Sequence, residues 1–150
     1  MPTIRTETIL ALPPEACFDL ARDIGLHCSS AGPSGERAIA GVTSGLIGPN
    51  DFVTFEGRHF GVRLRHTSRI TQFDRPKSFV DEMERGAFKS MRHRHEFTPR
   101  GEGAMMTDTL EWVSPLGFLG AIADALFLRC HLHKFLAERN RFLAQRSGTA

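Results

Sequence analysis

The order of the hydrophobic patterns along this chain constrains its fold more than any single motif does. A strand pattern from Thr3 to Leu12 stops at Pro13-Pro14, alternating segments fill residues 52–112, and a long apolar segment follows Pro115. No segment between the alternating stretches is long enough for a crossover helix, so neighbouring strands are expected to pair antiparallel. The order predicts an α+β fold, with a curved antiparallel sheet of six or seven strands around a long C-terminal helix. Such an arrangement leaves a cavity between sheet and helix.

One or two short helices are predicted after the first strand. Pro14 and Glu15 suit a first helical turn. The apolar residues that follow recur at helical spacing and form one stripe, and they are Cys17, Leu20, Ala21 and Ile24. Residues 25–35 are rich in Gly, Ser and Pro around His27 and Cys28, which predicts a loop or a second, broken helix at the rim of the cavity.

Turn residues recur at strand spacing through the middle of the chain. They lie at 45–51, 57–61, 74–77, 84–86 and 99–103, and Val, Ile, Phe and Thr occupy the segments between them. Within residues 62–70 and 89–97 the arginines alternate with His66, His93 and His95. Because successive side chains of a strand point to opposite faces, we expect the arginines to face water and these histidines to face the cavity.

Composition limits the function classes. A chain of 150 residues, 41% of them apolar, forms a single domain over 1–150. Nineteen basic and 17 acidic residues nearly cancel, and the strand arginines lack interleaved aromatics, so no nucleic-acid partner is expected. Three scattered cysteines favour neither disulfides nor a zinc knuckle and suit a reducing cytoplasm. Without an apolar signal core or a run of 18 apolar residues, we expect a soluble cytoplasmic protein with no transmembrane segment.

The C-terminal segment from Leu116 to Gln145 predicts one largely buried helix. Its apolar arc consists of Leu119, Ile122, Ala123, Leu126, Leu128, Cys130, Leu132, Leu136 and Leu143. Arg139 lies within this arc, where a guanidinium without a partner is costly. Near the start of the helix, Phe118, Phe127 and Leu128 exceed what the core can cover. They predict an apolar patch that seals a homodimer or touches a membrane surface transiently, so the protein is expected to be a monomer or homodimer.

Three polar residues are the candidates for chemistry. His93 and His95 lie two residues apart on one strand face, a spacing that can give two ligands to a metal, with a third from His59, His66, Asp81 or Asp108. We nevertheless expect polar cavity lining, no metal and no cofactor. Asp108 lies among Met106, Leu110 and Trp112, which would raise its pKa unless Arg139 or His95 pairs with it. A ligand anchor and a structural ion pair are both compatible with this pattern.

Several local segments carry a resemblance to a known superfamily. They are Pro14-Glu15, Thr67–Thr71 running into Phe73–Pro76, Phe79–Glu82, His93–Phe97 and Pro115–Gly117. In these segments and in the order of its elements, the chain resembles the helix-grip proteins of the SRPBCC, or START-like, superfamily. This superfamily includes polyketide cyclases, coenzyme Q-binding proteins and pollen-allergen-like proteins. The resemblance is to the bacterial ligand-binding branch. The resemblance implies the helix-grip fold but not a single function, because this scaffold hosts many functions.

The sequence therefore predicts a domain that binds a small hydrophobic molecule such as a lipid, quinone or polyketide. The expected apolar lining is Phe55, Leu64, Ile70, Phe79, Met83, Met91, Phe97, Met106, Leu110, Trp112, Leu126 and Cys130. The expected polar points are His27, His59, His93, His95, Asp108 and Arg139. One alternative is a cyclase or dehydratase with His93, His95 and Asp108 as catalytic candidates. A second alternative is a ligand-free protein-interaction module that uses the long helix.

Overall fold

The computed structural model describes residues 2–148 of the chain, except the side chain of Pro33. Seven antiparallel strands form one sheet in the order β1-β7-β6-β5-β4-β3-β2. The strands are β1 (Thr3–Leu10), β2 (Arg37–Gly41), β3 (Phe52–His59), β4 (Val62–Asp74), β5 (Ser78–Arg85), β6 (Ser90–Arg100) and β7 (Gly103–Val113). The helices are α1 (Pro14–Ala21), α2 (Ile24–Ser30), α3 (Gly117–Ala123) and α4 (Arg129–Arg146). The predicted α+β helix-grip architecture is confirmed.

The five strands from β3 to β7 form a continuous meander because each connection is a short hairpin. The β3–β4 hairpin turns at Phe60-Gly61, where both residues have positive φ, 53° and 74°. Two left-handed residues in a two-residue loop match the twist of the flanking strands. The last strand, β7, pairs with the first strand, β1, over residues 104–111 of β7.

Helices α1 and α2 close one end of the sheet. Asp23 caps α2 by accepting a hydrogen bond from the Leu26 amide at 3.1 Å, and Phe18 of α1 is fully buried. The Phe18 ring meets Phe73 and Phe79 edge to face, with centroids 5.2 and 5.1 Å apart. This aromatic cluster fills the core beneath α1, so the cavity begins beyond it.

The C-terminal helix runs from α3 through a π-helical turn, Asp124–Leu128, into α4. Within that turn Asp124 is buried and accepts hydrogen bonds from Trp112 Nε1 at 2.8 Å and Ser114 Oγ at 2.5 Å. A π turn adds a residue and rotates the helix face that follows it. The anchored carboxylate therefore turns inward and the neighbouring leucines turn outward.

The prediction that this helix is largely buried was wrong for its first half. Leu119, Ile122 and Leu126 are 57, 47 and 63% exposed, and Cys130 is also exposed, because Asp124 takes the inward position. Phe118 and Phe127 are 74 and 62% exposed, so two of the three predicted patch residues form an apolar patch at the start of the helix. Leu128, the third, is half-buried and turns toward the interior instead. Over residues 2–148, no helix combines the length and the hydrophobicity that crossing a membrane requires.

Candidate functional site

A cavity of about 220 Å³ lies between the sheet, α2 and α4. The residues that α4 and the end of the π turn direct toward it follow helical spacing, and they are Leu128, His131, Leu132, Phe135, Leu136 and Arg139. The opposite wall comes from inward-facing positions of the strands, among them Phe55, Leu64, Ile70, Phe79, Met91 and Leu110. The cavity is mostly apolar, with polar groups at a few points, as small-molecule sites are.

Histidine is concentrated in this wall. The chain has seven histidines, and six of them line the cavity: His27, His59, His66, His93, His95 and His131. The strand residues among them occupy inward positions, while Arg63, Arg92 and Arg94 lie on the other face as the alternation predicts. The sheet registry places Asp81 opposite His93 and His95 opposite Asp108, which sets polar side chains in a row across β5, β6 and β7.

Five residues form what we call the central cluster: Asp81, His93, His95, Asp108 and Arg139. Asp108 is fully buried, and its Oδ1 atom lies 2.9 Å from His93 Nε2 and 3.3 Å from Arg139 Nη1. The His95 Nδ1 atom lies 3.0 Å from the same oxygen but is not aligned for a hydrogen bond, so this contact is electrostatic. On its other side His95 shares a hydrogen bond with Asp81 Oδ2 at 3.0 Å.

The two carboxylates of the central cluster are ionised. Burial opposes the charge on Asp108, but the hydrogen bond with His93, the close contact with His95 and the Arg139 charge outweigh it and hold its pKa well below the usual value. For Asp81, burial is likewise outweighed by the hydrogen bond to His95 and the nearby imidazoles, so its pKa is also lowered. Each carboxylate is therefore a fixed negative charge at neutral pH.

The two central histidines differ in charge although they share one strand face. Burial and the neighbouring His95 lower the pKa of His93, whereas the contacts of His95 with Asp108 and Asp81 overcome its burial and raise its pKa. His95 thus holds a proton more strongly than His93 does. Because Asp108 is ionised, the proton of neutral His93 belongs on Nε2 and its Nδ1 carries a lone pair. An imidazole in that state can accept a proton from a bound molecule.

Arg139 connects the central cluster to the surrounding helices. Besides Asp108, its guanidinium donates to Asn140 Oδ1 at 3.2 Å and to the Ala21 carbonyl at 3.4 Å. Asn140 in turn donates to Thr6 Oγ1 at 3.1 Å. The expected partner of Arg139 is therefore present, and the pair fixes α4 against α1 and the sheet.

Asp81, His93 and His95 also offer three ligand atoms that lie within 4.8 Å of one another. This set has the composition of a two-histidine, one-carboxylate metal site. When His95 is protonated, however, the charge of the whole central cluster is already balanced, because the two carboxylates of Asp81 and Asp108 match the positive charges of His95 and Arg139. The residues fit a metal in kind, but a cation would have to displace the proton that His95 shares with Asp81.

A second polar group, the Glu36 pair, joins the expected polar residue His27 to Glu36, which was not predicted from the sequence. It consists of Glu36, just before β2, and His27 of α2, whose Oε2 and Nε2 atoms lie 3.7 Å apart. The Glu36 side chain is only 10% exposed and lines the cavity. No hydrophobic periodicity surrounds Glu36 in the sequence, so only its burial in the folded chain reveals it.

A third contact links the β3–β4 hairpin to α4. His59 Nδ1 and His131 Nε2 lie 3.1 Å apart, and the exposed Phe60 ring packs on His131 with centroids 4.4 Å apart. Burial and the neighbouring His59 lower the pKa of His131. A neutral His131 can share one proton with His59 across the gap between sheet and helix.

The structure brings eleven of the expected binding residues to the cavity wall. They are His27, Phe55, His59, Leu64, Ile70, Phe79, Met91, His93, His95, Leu110 and Arg139. The other seven lie elsewhere: Met83, Phe97, Met106, Asp108, Trp112, Leu126 and Cys130.

Each of the seven has a physical reason for its position. Phe97 and Met106 fill the packed core with Phe18, and Trp112 belongs to a second core cluster. Asp108 is covered by His93, His95 and Arg139. Met83 is half-buried beside Gly86 and outside the lining. Leu126 and Cys130 are exposed to solvent, because the π turn directs Asp124 inward and turns them outward.

Similar solved structures share the whole chain's architecture. Protein TTHA0849 from Thermus thermophilus has a TM-score of 0.79 at 18% identity, with 97% of each chain covered. Major latex-like protein 151 from Panax ginseng has a TM-score of 0.69 at 14% identity, again over 97% of each chain. Ara h 8.0201 has a TM-score of 0.68 at 10% identity over 99% of each. No protein-family model and no curated protein sequence matches the chain. These likenesses show the helix-grip fold.

Proposed function

We propose that the protein binds a small, largely apolar molecule in the cavity between the sheet and α4. The observation that carries this proposal is the cavity itself, about 220 Å³ with an apolar wall and polar groups at a few points. A ligand-free interaction module would be expected to fill this volume with side chains. The likeness to helix-grip proteins supports the same interpretation.

The volume limits the size of the ligand. Pockets for drug-sized molecules begin at about 300 Å³, whereas an apolar cavity of about 150 Å³ already takes up benzene. A cavity of about 220 Å³ suits a single substituted ring or a short chain. A longer lipid, quinone or polyketide would have to leave part of its length outside.

Native mass spectrometry of freshly purified protein tests this proposal, followed by solvent extraction to identify what co-purifies. We expect a bound small molecule that Leu64→Trp, which fills the cavity, removes. The matched control is Leu46→Trp, because Leu46 is 46% exposed and lies outside the lining. Equal retention by both folded variants, or a wild-type protein that holds neither a co-purified molecule nor an apolar dye, would contradict the proposal.

A catalytic role is a second candidate, favoured by the neutral His93 whose Nε2 is fixed on Asp108 at 2.9 Å. Its Nδ1 could act as the base of a cyclase or dehydratase. The extracted ligand, incubated with the protein in deuterated water, should then gain deuterium or change mass. A catalyst would lose this effect in His93→Gln, and a carrier would show no effect in either protein.

A further inference from the structure

The Glu36 pair, which lines the cavity, contains two buried polar atoms that make no hydrogen bonds. Among residues 2–148, neither Glu36 Oε2 nor His27 Nε2 has a hydrogen-bond partner, and their separation of 3.7 Å is too long for a direct one. Buried polar atoms in folded proteins are nearly always satisfied. Because Glu36 and His27 both line the cavity, these two atoms indicate a group that comes from outside the chain.

Glu36 carries a negative charge at this point of the wall. Burial opposes its ionisation, but His27, with His59 and His66 further away, outweighs burial and holds its pKa below the usual value. Burial lowers the pKa of His66, so that ring is neutral at pH 7. No lysine or arginine forms an ion pair with Glu36 among the described residues. The carboxylate is thus buried and ionised, and its Oε2 atom makes no hydrogen bond among the described residues.

The geometry of the pair is fixed by its surroundings. The His27 ring stacks on Phe55 with centroids 4.2 Å apart and an angle of 24° between the planes. This stacking holds Nε2 toward Glu36. One polar atom of a ligand can lie within hydrogen-bond distance of both Oε2 and Nε2, since these atoms are 3.7 Å apart.

We propose that Glu36 and His27 bind the polar end of the ligand, and that this end is a hydrogen-bond donor, either a hydroxyl or a primary ammonium. A hydroxyl donates to the Glu36 carboxylate and accepts from a protonated His27 Nε2, and an ammonium group donates to both residues. A ligand carboxylate is repelled by Glu36. This inference rests on the proposed binding function and defines its ligand class.

Four probes of one size test the inference: toluene, benzyl alcohol, benzylamine and benzoate. Their single ring suits a cavity of about 220 Å³, and they differ in the substituent that meets Glu36. Dissociation constants are measured at pH 7 by nuclear magnetic resonance titration of the wild type, Glu36→Gln and Glu82→Gln. Glu82→Gln is the matched control, because Glu82 is 45% exposed beside Arg92 on the outer face.

For the wild type we expect benzylamine to bind at least about tenfold tighter than toluene. The affinity of benzyl alcohol should lie between those two, and benzoate should bind weakest. Glu36→Gln should remove the preference for the ammonium and leave toluene binding unchanged, and Glu82→Gln should change neither. Benzylamine that binds no tighter than toluene, or a preference that survives Glu36→Gln, would overturn the inference and assign a bound water to the pair. Failure of the wild type to bind any of the four would instead count against the proposed function.

Discussion

Two buried carboxylate sites in one cavity wall behave differently. In the central cluster, Asp81 and Asp108 are matched by His95 and Arg139, and the contacts run from 2.9 to 3.3 Å. In the Glu36 pair, the ion pair that the carboxylate forms among residues 2–148 is with the His27 imidazole at 3.7 Å. The comparison indicates that the first site stabilises the fold, because its charges are already paired. The second site is the one that we propose for a ligand, because Glu36 and His27 both line the cavity, whereas Asp108 lies behind His93, His95 and Arg139.

The largest effect is expected at the central cluster, for Arg139→Met. The substitution leaves Asp108 buried with less positive charge around it, and breaking such a pair costs about 3–5 kcal/mol. Chemical denaturation should show this loss in the free energy of unfolding. Adding Asp108→Asn removes the uncompensated charge and should restore part of the stability.

The control for this prediction is Arg141→Met, since Arg141 is exposed on the same helix. It should change the free energy of unfolding by less than about 1 kcal/mol. An Arg139→Met protein as stable as the wild type would show that His95 alone compensates Asp108. The two sites would then not differ in the way proposed.

The sequence predicts the central cluster better than the Glu36 pair for a physical reason. Arg139 stands out because it interrupts an apolar helical arc, and Asp108 because it interrupts an apolar strand face, so each implies a partner. Glu36 lies in an irregular segment before a short strand, where no period assigns it a face. Its burial depends on how α2 closes over β2 and β3, which is a tertiary property.

The C-terminal helix shows the same limit. Its length and apolar content are evident from the sequence, but helical-wheel reasoning assumes one uniform period. The π turn at Asp124–Leu128 breaks that period, and the hydrogen bonds of Asp124 to Trp112 and Ser114 decide which side faces inward. Cavity residues after the turn, such as Leu132 and Leu136, face inward, whereas Leu126 within it faces water.

A smaller effect is expected from pH, through His95. Its contacts with Asp108 and Asp81 raise its pKa above the value of about 6.5 in the unfolded chain. Its charged form therefore contributes stability that is fully present below about pH 6.5 and is lost as the pH rises through the raised pKa. The slope of one such group is at most about 1.4 kcal/mol per pH unit.

The measurement compares unfolding free energies of the wild type and His95→Gln between about pH 6.5 and 8. The wild type should lose stability relative to the variant across this window. His93, His66 and His131 do not interfere, because their lowered pKa values place their titration below it. Parallel curves for the two proteins would show that His95 is neutral in the folded state and that the central cluster is not charge-balanced.

The smallest effect is expected from metal. Asp81, His93 and His95 lie close enough to suggest a metal site, but the raised pKa of His95 favours a proton between two carboxylates, and with that proton the cluster that includes Arg139 is neutral. A divalent ion must expel that proton and leaves the buried cluster with excess positive charge, which opposes binding. Dialysed protein should therefore contain well under one equivalent of zinc, iron or copper by elemental analysis, and added zinc should barely change its melting temperature. One equivalent of metal that disappears in a His93→Ala His95→Ala variant would reverse the comparison: the central cluster would then be the site that awaits a partner.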